Sequence, residues 1–239
     1  GFGTVFRVCS PFRRQGQLIR MTYKTTAINK SILPAVMLVI TGLACAGTID
    51  SRGQAPYEQC GYCHEYDGNS RMQDFPRLAG QRPAYLIKQL QDFRSGRRQG
   101  VMQATAELLT EQEIHAVAEY FSQQAAIPVT YSPQPDVARQ TAQRIFMHGD
   151  PARELPACVS CHLAEGQAAT AIPRLSGQHQ DYLAAQLNAF KNGTRSNDQM
   201  EQMRAIANRL TDTEIKHLAA FLARHEPVSS VRNTEPSSL

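Results

Sequence analysis

Cys60-Gly61-Tyr62-Cys63-His64 and Cys158-Val159-Ser160-Cys161-His162 are two copies of one pattern, Cys-x-x-Cys-His, in a chain of 239 residues. Two thiols at this spacing can form thioether bonds to the two vinyl groups of one porphyrin, and the residue that follows offers an imidazole to its iron. Two copies in matching positions of an internal repeat carry far more weight than one. Zinc is a competing reading, with four cysteines in two pairs and the histidines as further ligands. A dithiol redox pair is another. Neither explains why His follows directly in both copies. The expected cofactors are therefore two covalently bound haem c groups, attached through Cys60, Cys63, Cys158 and Cys161, with His64 and His162 on the iron.

The flanking sequence is duplicated as well. Pro76-Arg77-Leu78-Ala79-Gly80-Gln81 recurs as Pro173-Arg174-Leu175-Ser176-Gly177-Gln178. Tyr85, Leu86, Gln89, Leu90, Phe93, Gly96 and Arg98 recur as Tyr182, Leu183, Gln186, Leu187, Phe190, Gly193 and Arg195. Thr110 to Ile114 recurs as Thr211 to Ile215. The periodicity is helical throughout: Leu86, Leu90 and Phe93 fall at i, i+4 and i+7 behind Pro83, and Gly96 supplies a stop. Thr110 with Glu113, and Thr211 with Glu214, are capping boxes that open further helices. A third helix is expected before each Cys-x-x-Cys-His, starting at Asp136 in the second copy. No alternating run predicts a sheet. The fold class is all-α, with two tandem domains at 47–126 and 136–225. Three prolines make 127–135 a stiff linker, and 226–239 reads as a disordered tail. Each unit is small enough for apolar burial alone to be marginal, so a haem would form much of its core.

The first 46 residues read as a leader. Residues 1–20 precede Met21 and are read as upstream translation without a fold. Residues 21–46 carry Lys24 and Lys30, a short apolar run from Ile32 to Leu43, and Ala44-Cys45-Ala46 as a small-residue cleavage site. This is a secretory signal peptide, too short for a comfortable membrane span, and it predicts a periplasmic protein. The formal net charge of +4 belongs to the leader, whose six basic residues face no acidic ones. Without them 19 basic residues stand against 21 acidic, a net charge of −2. No basic cluster with interleaved aromatics is present, which excludes a nucleic-acid partner. Cys9 and Cys45 leave with the leader, so the remaining four cysteines are all in the two motifs.

A six-coordinate electron-transfer haem commonly pairs His with Met. Met102 lies eight residues before Thr110 and Met203 eight before Thr211, and no other methionine pair shares that register. Met102 and Met203 are the expected second axial ligands, with Met200 one turn from Met203 as the substitute. Four more residues separate Arg195 from Met203 than separate Arg98 from Met102, so the two iron sites are expected to differ. Pro76 and Pro173 are placed to offer a backbone carbonyl to the other nitrogen of each haem histidine. A plain turn proline is the alternative. Arg98 and Arg195 are candidates for pairing with haem propionates, against a solvated cation at a helix end. His115, His148, His179, His217 and His225 read as exposed.

These residues together resemble the dihaem cytochromes c4 of bacterial periplasms, over roughly residues 54–224. The resemblance rests on the paired haem motifs, on Pro-Arg-Leu-x-Gly-Gln with Tyr-Leu-x-x-Gln-Leu-x-x-Phe-x-x-Gly, and on Arg195-Ser196-Asn197-Asp198 before Met203. It implies two class I cytochrome c domains packed about a pseudo-twofold in a monomer. It also implies His64/Met102 and His162/Met203 ligation, and electron delivery towards terminal oxidases. The first copy lacks the Asn-Asp element.

With both irons saturated, no site is left for bond chemistry. The expected function is a non-enzymatic electron carrier, diffusible or peripherally bound to the membrane, between a respiratory donor and a terminal oxidase or reductase. The alternative is a dihaem subunit of an oxidoreductase such as flavocytochrome c sulfide dehydrogenase. A haem enzyme or gas sensor needs an open sixth position, which Met102 and Met203 argue against.

Overall fold

Thr110 opens a helix with both halves of a capping box: its hydroxyl accepts from the Glu113 N–H, and the Glu113 carboxylate accepts from the Thr110 N–H. Thr211 and Glu214 repeat the arrangement. In the computed structural model, which describes residues 55–162 and 171–224, these caps begin α4 (Glu111–Ser122) and α9 (Asp212–Arg224). The upstream segment, the expected signal peptide and the tail from 226 lie outside the described residues.

The other helices are α1 (Tyr57–His64), α2 (Pro83–Arg94), α3 (Met102–Glu107), α5 (Asp136–His148), α6 (Val159–His162), α7 (Gln180–Lys191) and α8 (Gln202–Asn208). Among the described residues the only β pairing is an isolated bridge, Asp150 with Leu155, and the fold is all-α. In the first half α2 packs on α3 and α4; in the second α7 packs on α8 and α9. The haem motif lies within α1 in one half, and in the other Cys158 directly precedes α6, which holds the rest; α1 rests on α4 as α5 rests on α9. The expected third helix is α5 in the second half. It ends at His148, and a 3-10 turn at Pro151–Arg153 intervenes before Cys158. The expectation of a corresponding helix ahead of the first motif concerns sequence before residue 55, outside the described residues.

Each half has its own apolar cluster. Ile114, Val117, Ala118 and Phe121 from α4 meet Leu86, Leu90 and Phe93 from α2. Ile215, Leu218, Ala219 and Leu222 from α9 meet Leu183 from α7 and Ile145 and Phe146 from α5. These are the i, i+3, i+4 and i+7 positions of each helix, the spacing that puts a stripe on one face. The Pro-rich stretch from Ala125 to Pro135 has no regular structure. It is tied to the second half where Arg224 donates to the Ser132 carbonyl at 2.8 Å and lies over the Tyr131 ring.

Candidate functional site

Cys60 and His64 lie one helical turn apart in α1, both buried. The chain then leaves the helix and must return a carbonyl to the imidazole. Gly68 makes the return: at φ +71° its carbonyl accepts the Leu78 and Ala79 N–H groups at 2.8 and 3.1 Å. A Cβ there would strike the Ala79 nitrogen at 2.7 Å. The loop so closed brings the Pro76 carbonyl to 2.8 Å from His64 Nδ1. In the second half the Pro173 carbonyl lies 2.9 Å from His162 Nδ1. A carbonyl only accepts, so Nδ1 carries the proton in both rings and Nε2 keeps its lone pair. Burial pulls both histidines below the ordinary imidazole range, against the raising effect of the proline carbonyls; at His162 the nearby Arg82 guanidinium lowers it further. Both are therefore neutral, which metal ligation requires.

His64 and His162 border one continuous cavity of about 980 Å³. Met102, at the start of α3, lines it in the first half, and Met203, in the first turn of α8, lines it in the second. Met200 does not line it: it is 74% exposed, on a turn of its own with φ +51°. None of the four cysteines is in a disulfide. Burial pushes Cys60 and Cys158 up to about 11. Thiols raised in this way are unlike the depressed thiols of dithiol oxidoreductases. Among the described residues no group of three or more His, Cys, Asp or Glu side chains gathers to hold a metal ion, so the two pairs do not form one zinc centre. The residues present fit a porphyrin: Cys60 in the first half, and Cys158 with Cys161 in the second, share an apolar-walled cleft with one neutral imidazole and one thioether.

Between the clefts lies a polar junction built by the repeat. Arg98 donates to Gln89 of its own half at 2.8 Å, and across the junction to the Tyr182 hydroxyl at 3.0 Å and Gln186 at 2.9 Å. Arg195 donates to Gln186 of its own half at 2.7 Å, and across to the Tyr85 hydroxyl at 3.3 Å and Gln89 at 3.0 Å. Each guanidinium also lies over a phenylalanine ring, Phe93 or Phe190, at 4.5 and 4.4 Å. Both arginines are 8% exposed, which rules out the solvated helix-end alternative for them. Burial alone would push the Tyr85 phenol up; Arg195 and Arg98 outweigh it and hold it below its ordinary range.

The Pro-Arg-Leu-x-Gly-Gln copies form a second junction. Gln178 accepts from the Arg77 N–H at 2.8 Å and donates to the Arg77 carbonyl at 2.9 Å. Gln81 does the same for Arg174, at 2.8 and 3.0 Å. The Arg77 side chain donates across to the Gly177 carbonyl, and Arg174 to the Gly80 and Ala79 carbonyls. His179 belongs here and corrects the expectation of an exposed histidine. It is 1% exposed; Nε2–H donates to the Ser70 carbonyl at 2.8 Å, and Nδ1 accepts from the Tyr131 hydroxyl at 3.3 Å. The residues unforeseen from sequence are thus Tyr85, Gln89, Tyr182, Gln186, Gln81, Gln178 and His179. Their signal was present, since all but His179 recur in both copies.

The family model for cytochrome c matches residues 141–226. Cytochrome c4 of Azotobacter vinelandii is 37% identical over 209 residues, covering 82% of this chain and 98% of that protein. A thiosulfate dehydrogenase electron acceptor of Stutzerimonas stutzeri is 38% identical over 167 residues, 69% of this chain and 77% of that protein. Among solved structures, reduced cytochrome c4 from Pseudomonas stutzeri superposes with a TM-score of 0.65 at 33% identity, covering 72% of this chain and 97% of that one.

Proposed function

The chain belongs to the cytochrome c4 family, and from that premise we propose that it is a periplasmic carrier moving electrons from a respiratory donor to a terminal oxidase or reductase. It is an electron-transfer protein, not an enzyme, with two covalent haem c groups. When bound, each haem supplies one reversible Fe(III)/Fe(II) couple.

The chain's own residues do the rest. Cys60 with Cys63, and Cys158 with Cys161, are the thioether anchors. His64 with Met102, and His162 with Met203, are the axial pairs. Pro76 and Pro173 support that assignment by holding each imidazole with Nε2 unprotonated. The exposure of Met200 favours Met203 in the second half. Thioether ligation raises a haem potential, and so do the Arg98 and Arg195 guanidiniums, because a nearby cation favours the iron state of lower charge. The two arginines are also placed to take the propionates, having no carboxylate partner among the described residues. Their network joins the two domains, 47–126 and 136–225, into one monomeric unit.

The observation that carries this reading is one cavity bordered by two proline-held histidines, with its two lobes meeting at Arg98 and Arg195. The leader read at residues 21–46 supports export. The similarity to a thiosulfate dehydrogenase electron acceptor supports a small oxidoreductase as donor. Purification from native periplasm and membranes tests it. A monomer that is reduced by a soluble dehydrogenase and reoxidised by oxidase-containing membranes is the expected result. A stoichiometric complex with a flavoprotein, stable through purification, would replace the carrier with an oxidoreductase subunit.

A further inference from the structure

The paired arginine and glutamine contacts of the two junctions obey the repeat; the contacts of Arg82 and His179, which share a register, do not, and neither does a third set centred on Asn197. Lys88, Asp92 and Arg97 of the first half correspond in register to Ala185, Ala189 and Thr194 of the second. The second half in turn has Asn197-Asp198 within a seven-residue connection from Arg195 to Met203, where the first has three residues between Arg98 and Met102. The two asymmetric features meet. Asn197 Nδ2 donates to Asp92 Oδ2 at 2.7 Å and to Gln89 Oε1 at 3.0 Å. Lys88 Nζ donates to the Asn197 carbonyl at 2.6 Å. Arg195 Nε donates to Asn197 Oδ1 at 3.0 Å. Asp92 is 1% exposed and is also held by Lys88 and Arg97. Burial alone would raise its carboxyl; these partners outweigh it and keep the carboxyl below its ordinary range.

The next residue is an anchor of the opposite kind. Asp198, its side chain 3% exposed, accepts from the Arg204 N–H at 3.0 Å and from Arg204 Nε at 2.9 Å. It therefore fixes α8 from within its own half. Between the anchor and α8, Met200 and Glu201 stand at φ +51° and +58°. Two successive non-glycine residues in the left-handed region persist only where the surroundings over-determine them. Asn197 fixes one end of that turn to the other half, Asp198 and Arg204 fix the other end, and Met203 is the residue next to Arg204.

We propose that Asn197 is a positioning residue through which α2 of the first domain holds the Met203 loop of the second. The Asn197 strap runs one way, because the Met102 loop, held across the junction by Arg98 as Arg195 holds its own, has no counterpart of Asn197 among the described residues. The second site's thioether is then secure only while the domains are docked, and this is a physical source of inequivalence between two otherwise repeated sites. The proposal rests on Met203 as an axial ligand, as argued under the proposed function.

The test uses the full-length dihaem protein and imidazole as probe. Asn197→Ala changes no charge, so any change in potential reports geometry rather than field. Met203→Ala first identifies the second site's signals. Asn197→Ala is expected to speed imidazole binding at that site by about ten-fold, the scale of a lost hydrogen bond to a charged group. That site's potential should fall, and the other site's rate and potential should stay as they were. Unchanged rates at both sites, or equal acceleration at both, would overturn the one-way strap. If Asn197→Ala does not fold, Lys88→Met removes another hydrogen bond that holds Asn197, the one to its carbonyl, from the first domain's side. The same one-sided acceleration is expected there, and its absence sinks the idea. A far-red band left whole by Met203→Ala overturns instead the ligand assignment beneath it.

Discussion

His64 and His162 are each oriented by one proline carbonyl, and each faces one methionine across the cleft. With the proposed two ligands per iron, and the neutral tautomer already set, each site would exchange electrons without exchanging ligands. The methionines are the more vulnerable members, because nothing but packing and loop geometry holds a thioether in place. Met102→Ala and Met203→Ala should each remove about half of the far-red sulfur-to-iron band of the oxidised protein, one site of two. Each should open its iron to added ligand. Met200→Ala should leave the band whole, since that side chain points away from the cavity. Optical spectra of the three variants settle the assignment; a band that survives Met203→Ala and fades in Met200→Ala reverses it. The ligand candidates were legible in the sequence because they sit at fixed short spacings. Eight residues from each methionine to its capping threonine is a local distance that a single chain displays. The burial of His179 was not legible: its partners Ser70 and Tyr131 are 109 and 48 residues away.

At the scale of elements, the same capping box is used twice with different support. Glu113 closes its box on Thr110. Glu214 closes its box on Thr211 and in addition takes both Nη groups of Arg153, at 2.8 and 3.0 Å, so that α9 is tied to the 3-10 turn ahead of the second haem motif. The Arg153 hydrogen bonds are the main cause that lowers the Glu214 carboxyl to about 2, against burial. A depressed folded-state pKa adds stability that is present above the unfolded value and is lost as pH falls through the folded one. Glu214→Gln should therefore destabilise the protein at pH 7, by about 1 kcal/mol for a partly exposed pair. The difference from wild type should shrink as pH drops from about 4.5 towards 2. Glu113→Gln should cost less at pH 7. Thermal melts of the three proteins at pH 7 and pH 3 check this, and a Glu214→Gln deficit undiminished at pH 3 contradicts it. The helices were readable from capping boxes and 3.6-residue periodicity, which are local. The role of Pro-Arg-Leu-x-Gly-Gln as a junction was not, because Gln81 and Arg174 meet across 93 residues and the motif reads equally well as an internal turn.

For the whole molecule, the duplication yields two near-equal halves joined by contacts of which some are shared by both copies and some are not. The Arg98 and Arg195 networks and the Gln81 and Gln178 contacts interchange under exchange of the halves; the Asn197 contact to Asp92 does not. A symmetric junction gives the halves a common electrostatic setting, and the buried guanidiniums act on both clefts. Arg98→Gln should thus lower both reduction potentials, on the order of tens of millivolts for a charge lost at an effective dielectric near 20. A redox titration in which only one potential moves would show that the junction is electrically divided. The unequal loops predict two resolvable potentials in the wild type, both raised by thioether ligation. The short linker keeps the domains at high effective concentration, so electrons should pass between haems faster than an external donor reduces the second. Cutting the chain within Pro128–Pro135 leaves each half its own apolar cluster and its own histidine, proline and methionine. It also strips the buried Arg98, Arg195, Gln81 and Gln178 of their cross-domain partners, and an uncompensated buried polar group is costly. Each half expressed alone should keep its haem and melt at a lower temperature than the intact chain. The second half should lose more of its far-red band than the first, since its methionine loop loses the Asn197 tie in addition to the arginine contacts that both halves lose. Two halves with equal bands, together with a titration of the whole that fits two identical independent sites, would reduce the molecule to a tandem of separate carriers.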